Sequence, residues 1–255
     1  MRLTALPALD DNYIWHLAAA DGRWLVVDPG QAEPVMAWAG AAAPPEAILL
    51  THHHGDHVAG VEALRARWPR VPVHGPADPR IAGLVDRPVG DGDQVEAGPW
   101  RFDVLAVPGH TASHVAFHGA GLLFCGDTLF SLGCGRLFEG TPREMLGAMD
   151  RLSTLPPATG VCCGHEYTLA NAAFARVVDP DNVALRRRQE EAIAMRHAAR
   201  PTVPSTLAQE LACNPFLRVD APAVRAAVAV REPGAEADRV ETFAALRRWK
   251  DGFRA

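Results

Sequence analysis

Side chains of metal-binding type recur in a tight pattern along the first two-thirds of the chain. His52, His54, Asp56 and His57 fall within Thr51-His52-His53-His54-Gly55-Asp56-His57, and His110, Asp127 and His165 follow singly. Imidazoles two apart on an extended segment point to the same side, so His52 and His54 can share one metal ion. Asp56 and His57 come after a one-residue turn at Gly55 and can face a second position. Neutral imidazole and carboxylate suit zinc, and also iron or manganese. A solvated histidine-rich loop would explain one pair of histidines. It does not explain His110, Asp127 and His165, each of which ends an apolar run.

Strands must position these groups. Leu25-Val26-Val27 runs into Asp28, and Ile48-Leu49-Leu50-Thr51 into His52. Residues 104–107 precede Pro108-Gly109-His110, residues 122–126 precede Asp127, and residues 161–164 precede His165. Polar residues at the carboxyl ends of neighbouring strands converge on one sheet edge. Continuous apolar strands imply a sheet covered on both faces. Asp21-Gly22 between Ile14-Trp15-His16-Leu17 and Trp24-Leu25-Val26-Val27 predicts a hairpin. Helical stretches are expected near 34–42, 58–68 and 142–155.

From about residue 172 strand signals fade and Ala/Arg/Glu-rich helices take over. One helix runs from a cap at Asp181 to about Ala198. Thr206-Leu207-Ala208-Gln209 fits a capping box opening another. Further helices follow Asp220 and span about 237–249. Arg186-Arg187-Arg188 reads as a solvated helical face. The domain reading is therefore residues 1–172, layered α+β, and residues 173–255, helical.

Composition excludes several classes. The chain has 255 residues, 48% hydrophobic and 22% charged, enough for a sizeable core in one or two domains. Its 25 basic and 30 acidic residues give a net charge of −5, which argues against a nucleic-acid platform. No apolar run approaches the ~18 residues of a membrane span. Pro7 and Asp10-Asp11 make the start a poor signal peptide. The 5 cysteines, Cys125, Cys134, Cys162, Cys163 and Cys213, have no framework spacing and read as reduced thiols of a cytoplasmic protein. Cys125 and Cys162-Cys163 read as buried strand residues, not nucleophiles. Lys250 is the sole lysine. Nothing demands more than a monomer.

The histidine motif, Pro108-Gly109-His110-Thr111 and Gly126-Asp127-Thr128-Leu129-Phe130 resemble the metallo-β-lactamase superfamily. Residues 133–140, Gly-Cys-Gly-Arg-Leu-Phe-Glu-Gly, and Cys163-Gly164-His165-Glu166-Tyr167-Thr168 are similar to glyoxalase II, the hydroxyacylglutathione hydrolases. So are Asp11-Asn12-Tyr13-Ile14-Trp15 and Asn214-Pro215-Phe216-Leu217-Arg218. The resemblance implies an α+β fold, a four-layer αββα sandwich with a C-terminal helical domain. It implies two divalent ions, zinc first among them, with iron or manganese as alternatives. His52, His54 and His110 would hold one ion, and Asp56, His57 and His165 the other. Asp127 would bridge both with a water or hydroxide, and Asp28 would orient a ligand imidazole from behind. Asp56 and Asp127 would orient the nucleophile.

The implied reaction is hydrolysis of S-D-lactoylglutathione, a step of methylglyoxal detoxification. Arg136, Tyr167, Arg247 and Lys250 would contact the anionic glutathione. Phe138 stands where some relatives carry tyrosine, so a hydroxyl contact is lost there. Competing readings are a glutathione persulfide dioxygenase of the same superfamily and a non-catalytic metal-binding scaffold. The β-lactamases commonly place a different triad at the second metal. Nuclease relatives usually add a dedicated nucleic-acid module, and the net charge of −5 offers no support for an RNA contact.

Overall fold

A computed structural model describes residues 1–254. The chain divides into two compact units. The first comprises Met1–Ala106, Ser113–Gly126 and Cys162–His165. The second comprises Val107–Ala112, Asp127–Val161 and the chain from Glu166 onward.

In the first unit one sheet takes six strands in chain order: β1 (Arg2–Ala8), β2 (Asn12–Ala18), β3 (Trp24–Val27), β4 (Ile48–Leu49), β5 (Val73–Pro76) and β6 (Arg87–Val89). The β1–β2–β3 ladder is antiparallel, with Ala18 opposite Trp24 across the expected hairpin. From β3 to β6 the pairing is parallel. The second sheet contains β7 (Gln94–Ala97), β8 (Trp100–Ala106), β9 (Val115–Gly119) and β10 (Leu122–Gly126), all antiparallel.

Alternation along the strands explains why both faces of the first sheet are apolar. Leu6, Ile14, Trp24, Val26, Ile48 and Val73 form one core with Val35 of α1 (Glu33–Ala39) and with Val61 and Leu64 of α3 (Val61–Arg67). Trp15, Leu17, Leu25, Val27 and Leu49 are buried on the other face. There the Trp15 ring meets Phe124 of β10 at 6.5 Å, and Phe124 meets Phe102 of β8 at 5.9 Å. The helix expected over 58–68 forms as α3, three residues later at its start. A single turn, α2 (Gly55–Val58), precedes α3, because Gly60 donates its N–H to the Pro29 carbonyl at 2.9 Å.

The second unit begins its regular structure with the short ribbon β11 (Leu129–Phe130) and β12 (Gly133–Cys134). Helix α4 (Pro142–Ser153) follows, opened by a capping box in which Thr141 and Glu144 satisfy each other's backbone N–H. The first residues of β13 (Gly160–Cys163) pair with β14 (Ser205–Thr206). The helices α5 (Thr168–Val178), α6 (Val183–His197), α7 (Leu207–Cys213), α8 (Pro222–Arg231) and α9 (Arg239–Asp251) complete it. The Thr206–Gln209 capping box forms as the spacing predicts. The cap of α6 is Asn182, one residue beyond Asp181, because its side chain accepts from Leu185 N–H.

His16 and His74 are buried on the first sheet. Burial pushes both imidazoles down to about 4. An unfolded chain titrates its histidines near 6.5. Below that value the unfolded state binds protons that the native state refuses, so the stability present above pH 6.5 is lost as pH falls through 4. The His16 ring lies tilted against Trp38, with the ring centroids 3.5 Å apart, and phenylalanine preserves that shape. His16→Phe is therefore expected to reduce the fall in Tm between pH 7 and pH 5. Thermal unfolding at the two pH values measures it, and an undiminished fall contradicts the assignment.

Candidate metal centre

In the first unit the ligand-type residues gather at the ends of adjacent parallel strands. Asp28 follows β3, and the histidine segment follows β4. Asp28 adopts a left-handed φ of 51°, which suits a short polar side chain that bonds locally. Its carboxylate accepts from Thr51 N–H at 2.8 Å, from Thr51 Oγ1 at 2.7 Å and from His57 Nδ1 at 3.0 Å. The turn behind it must be glycine: a Cβ on Gly30 would lie 1.8 Å from the Asp56 carbonyl oxygen.

Asp56, His57 and His165 offer donor atoms that all lie within 4.8 Å of one another. The Asp56 carboxylate is 3.6 Å from His57 Nε2 and 3.4 Å from His165 Nε2. The opposite nitrogen of each ring is already engaged. His57 Nδ1 faces Asp28, and His165 Nδ1 faces Asp11 at 2.7 Å. A carboxylate at Nδ1 fixes the proton there and leaves the Nε2 lone pair directed at the shared point. Asn12 Nδ2 donates to Asp56 Oδ2 at 3.0 Å and sets that carboxylate. In the sequence, Asp11 and Asn12 belong to a family motif that gives them no role. Their ligand contacts become visible only in the structure.

His52 and His54 lie beside this group. His52 Nδ1 sits 3.1 Å from Thr51 Oγ1, and His52 Nε2 sits 3.1 Å from His54 Nδ1. Two imidazole nitrogens this close are arranged as co-ligands would be. His54 is extended (φ −61°, ψ 143°) and α2 starts immediately after it, which separates the two pairs of the motif. The donor set of imidazoles and carboxylates, each imidazole of the Asp56 group held from behind, fits a divalent ion.

The second unit carries His110 and Asp127, with His110 Nε2 3.4 Å from Asp127 Oδ2. His110 Nδ1 donates to the Arg136 carbonyl at 2.9 Å, again freeing Nε2. Gly135 packs against this pair, since a Cβ there would lie 1.9 Å from the Asp127 carbonyl oxygen.

Around it stand the other residues singled out from sequence. The Phe138 ring is 62% exposed and 5.2 Å from the His110 ring. The Tyr167 ring lies 5.2 Å from Phe130. Arg136 is largely exposed, its Nε 3.8 Å from Asp251. Lys250 Nζ donates to the Ala170 carbonyl at 3.2 Å, above the rings of Phe174 and Phe253. Burial, followed by the charges of Arg247 and Arg136, pushes the Lys250 ammonium down to about 8. Arg247 is only 5% exposed and donates to the carbonyls of Cys134 and Gly135 and to Asp251. It thereby clamps the loop that carries Arg136.

All five cysteines are buried. Burial pushes Cys134 up to about 11, Cys213 up to about 12 and Cys162 well above the usual thiol range. None of these three supplies a thiolate at neutral pH.

Residues 13–165 match the family described as the metallo-beta-lactamase superfamily, and residues 166–253 match the hydroxyacylglutathione hydrolase C-terminus. The chain is 61% identical over 256 residues to a hydroxyacylglutathione hydrolase from Xanthomonas euvesicatoria pv. vesicatoria, covering 100% of both. It is 56% identical over 253 residues to one from Xylella fastidiosa, covering 99% of this chain and 98% of that one. Among solved structures, the BLEG-1 B3 metallo-beta-lactamase superposes with a TM-score of 0.64 at 25% identity, over 85% of this chain and 100% of that one. ETHE1 from Myxococcus xanthus gives 0.59 at 27%, over 84% and 99%. A third, solved in a di-iron-bound form, gives 0.53 at 30%, over 65% and 92%.

Fold and site together define an α+β protein of the metallo-β-lactamase superfamily with a C-terminal helical domain. Within that superfamily the chain belongs to the hydroxyacylglutathione hydrolase family, the glyoxalase II enzymes.

Proposed function

We propose that this chain hydrolyses S-D-lactoylglutathione to D-lactate and glutathione at a pair of divalent ions, the second step of methylglyoxal detoxification. The carrying observation is the Asp56–His57–His165 group, in which both imidazoles are held from behind by carboxylates. In this reading His52, His54 and His110 hold one ion, Asp56, His57 and His165 the other, and Asp127 both. Zinc is the proposed ion; iron and manganese accept the same donors. When bound, the ions polarise the thioester carbonyl and make hydroxide available at neutral pH.

The chain's own groups do the rest. Asp56 and Asp127 orient the attacking water through their carboxylates. The leaving thiol titrates at about 8.5, so it departs without a strong general acid. Arg136, Tyr167, Arg247 and Lys250 bind the glutathione moiety, with the exposed Phe138 ring beside His110 as an apolar wall. In this reading residues 1–172 form the catalytic domain and residues 173–255 the helical substrate-binding domain. Cysteines without the spacing of a disulfide framework support a reducing, cytoplasmic setting. Among the described residues no helix is long and apolar enough to cross a membrane. The proposed working form is a monomer that needs no nucleic acid.

Comparing S-D-lactoylglutathione with the same acyl group on N-acetylcysteine tests the substrate reading. Hydrolysis at least ~100-fold more efficient for the glutathione ester is expected, since the lost contacts are charged. Equal kcat/KM for both would contradict it.

Lys250 adds a pH signature. Its ammonium is present below about 8 and lost above it. KM for the glutathione ester is expected to stay flat below pH 8 and rise above. Lys250→Ala is expected to raise KM about 10-fold at pH 7 with kcat nearly unchanged, and to remove that rise. Steady-state kinetics from pH 6.5 to 9 measure both, and a collapse in kcat with KM held would contradict the placement.

A further inference from the structure

The middle histidine of the motif, His53, is not among the proposed metal ligands. Its ring stands 4.7 Å from that of His54, and its Nδ1 lies 3.6 Å from Asp78 Oδ2. Asp78 follows β5 and is 3% exposed. A carboxylate buried so far needs several donors to remain charged. It has them. Arg80 donates from its backbone N–H at 2.9 Å, from Nε at 2.8 Å and from Nη2 at 2.6 Å, and Ser113 Oγ donates at 2.6 Å. These hydrogen bonds, those of Arg80 foremost, hold the Asp78 carboxyl well below the usual carboxylate range.

Ser113 carries the consequence to the ligands. The next residue, His114, is fully buried, and its ring stacks flat on His52 at 4.6 Å and 16°. Val115 then donates its N–H to the Thr51 carbonyl at 2.9 Å. Segment 113–115 thus runs along the back of residues 51 and 52. Asp78 grips that segment through Ser113 and stands behind His53.

We propose that Asp78 is a positioning residue for the His52–His54 pair: through Ser113 and His53 it braces the ligand segment and keeps both imidazoles aimed at one ion. The inference rests on the metal-site reading above. Groups that orient metal ligands typically contribute ~10–100-fold to metal affinity.

The test is competition for Zn²⁺ between the purified chain and a chelator. The wild-type chain is expected to retain two equivalents. Asp78→Ala is expected to bind one equivalent ~10–100-fold more weakly, with the other unchanged. Its kcat falls at limiting zinc and recovers at saturating zinc, while KM holds. Asp78→Asn keeps an acceptor for Ser113 and is expected to recover most of the affinity. Both equivalents held as tightly as in wild type by Asp78→Ala would overturn the brace, whatever the change in Tm. Should Asp78→Ala fail to fold, Ser113→Ala leaves the Asp78–Arg80 pair intact. It is expected to weaken the same single equivalent severalfold, and unchanged affinity overturns the proposal. A wild-type chain that binds no zinc overturns the metal-site reading itself, and the brace with it.

Discussion

Asp127→Ala is expected to abolish turnover and release metal, with kcat/KM falling at least ~1,000-fold, or about 4 kcal/mol of transition-state stabilisation. The residue is 6% exposed and its carboxylate lies 3.4 Å from His110 Nε2. Its backbone is fixed independently. Gly135 packs on its carbonyl oxygen, and Gly135 N–H donates to the Thr128 carbonyl at 3.1 Å. The loss therefore reports the missing carboxylate, not a moved loop. In the proposed centre this is the one side chain shared by both ions, so its removal weakens both. Metal content and hydrolysis on the same sample measure the effect. Full activity with two metals retained would refute the bridging role.

Asp28→Ala is expected to combine a loss of stability with weaker metal binding. Its buried carboxylate satisfies Thr51 N–H, Thr51 Oγ1 and His57 Nδ1. Each buried donor left without a partner costs about 1–3 kcal/mol. Several kcal/mol is a large share of the ~5–15 kcal/mol that holds a typical domain together. Alanine is also less tolerant than aspartate of the φ of 51° found there. Freed from Asp28, the His57 ring loses both its proton position and its orientation, and metal affinity is expected to fall ~10–100-fold. Asp28→Asn keeps one oxygen and is expected to fall between. Thermal unfolding with and without zinc separates the two losses. Wild-type Tm and wild-type zinc affinity in Asp28→Ala would contradict the role.

The sequence was most informative where a local rule suffices. The Asp21-Gly22 hairpin and the Thr206–Gln209 capping box form where turn and cap chemistry predicts them. The His52, His54, Asp56 and His57 cluster was legible because its spacing is short. Long-range partners left no local signal. Asp11 reaches His165 across 154 positions and Asn12 reaches Asp56 across 44, so neither role could be read from neighbours. The same limit explains Arg188. A solvated face was expected for Arg186–Arg188, yet Arg188 is buried and donates to the Thr202 carbonyl and Ser131 Oγ. Helical periodicity places it on one face with Leu185 and Ala192, both buried. The break between α2 and α3 likewise depends on the approach of Pro29 to Gly60, 31 positions apart by their numbers.

Titrating the metal-free chain with Zn²⁺ decides whether it is a two-metal thioester hydrolase. Hydrolysis of S-D-lactoylglutathione is followed at each addition, with bound zinc measured on the same sample. Negligible turnover is expected without metal, with a rise that ends at two equivalents per chain. A chain that fills with two equivalents and still leaves the thioester intact would contradict that expectation.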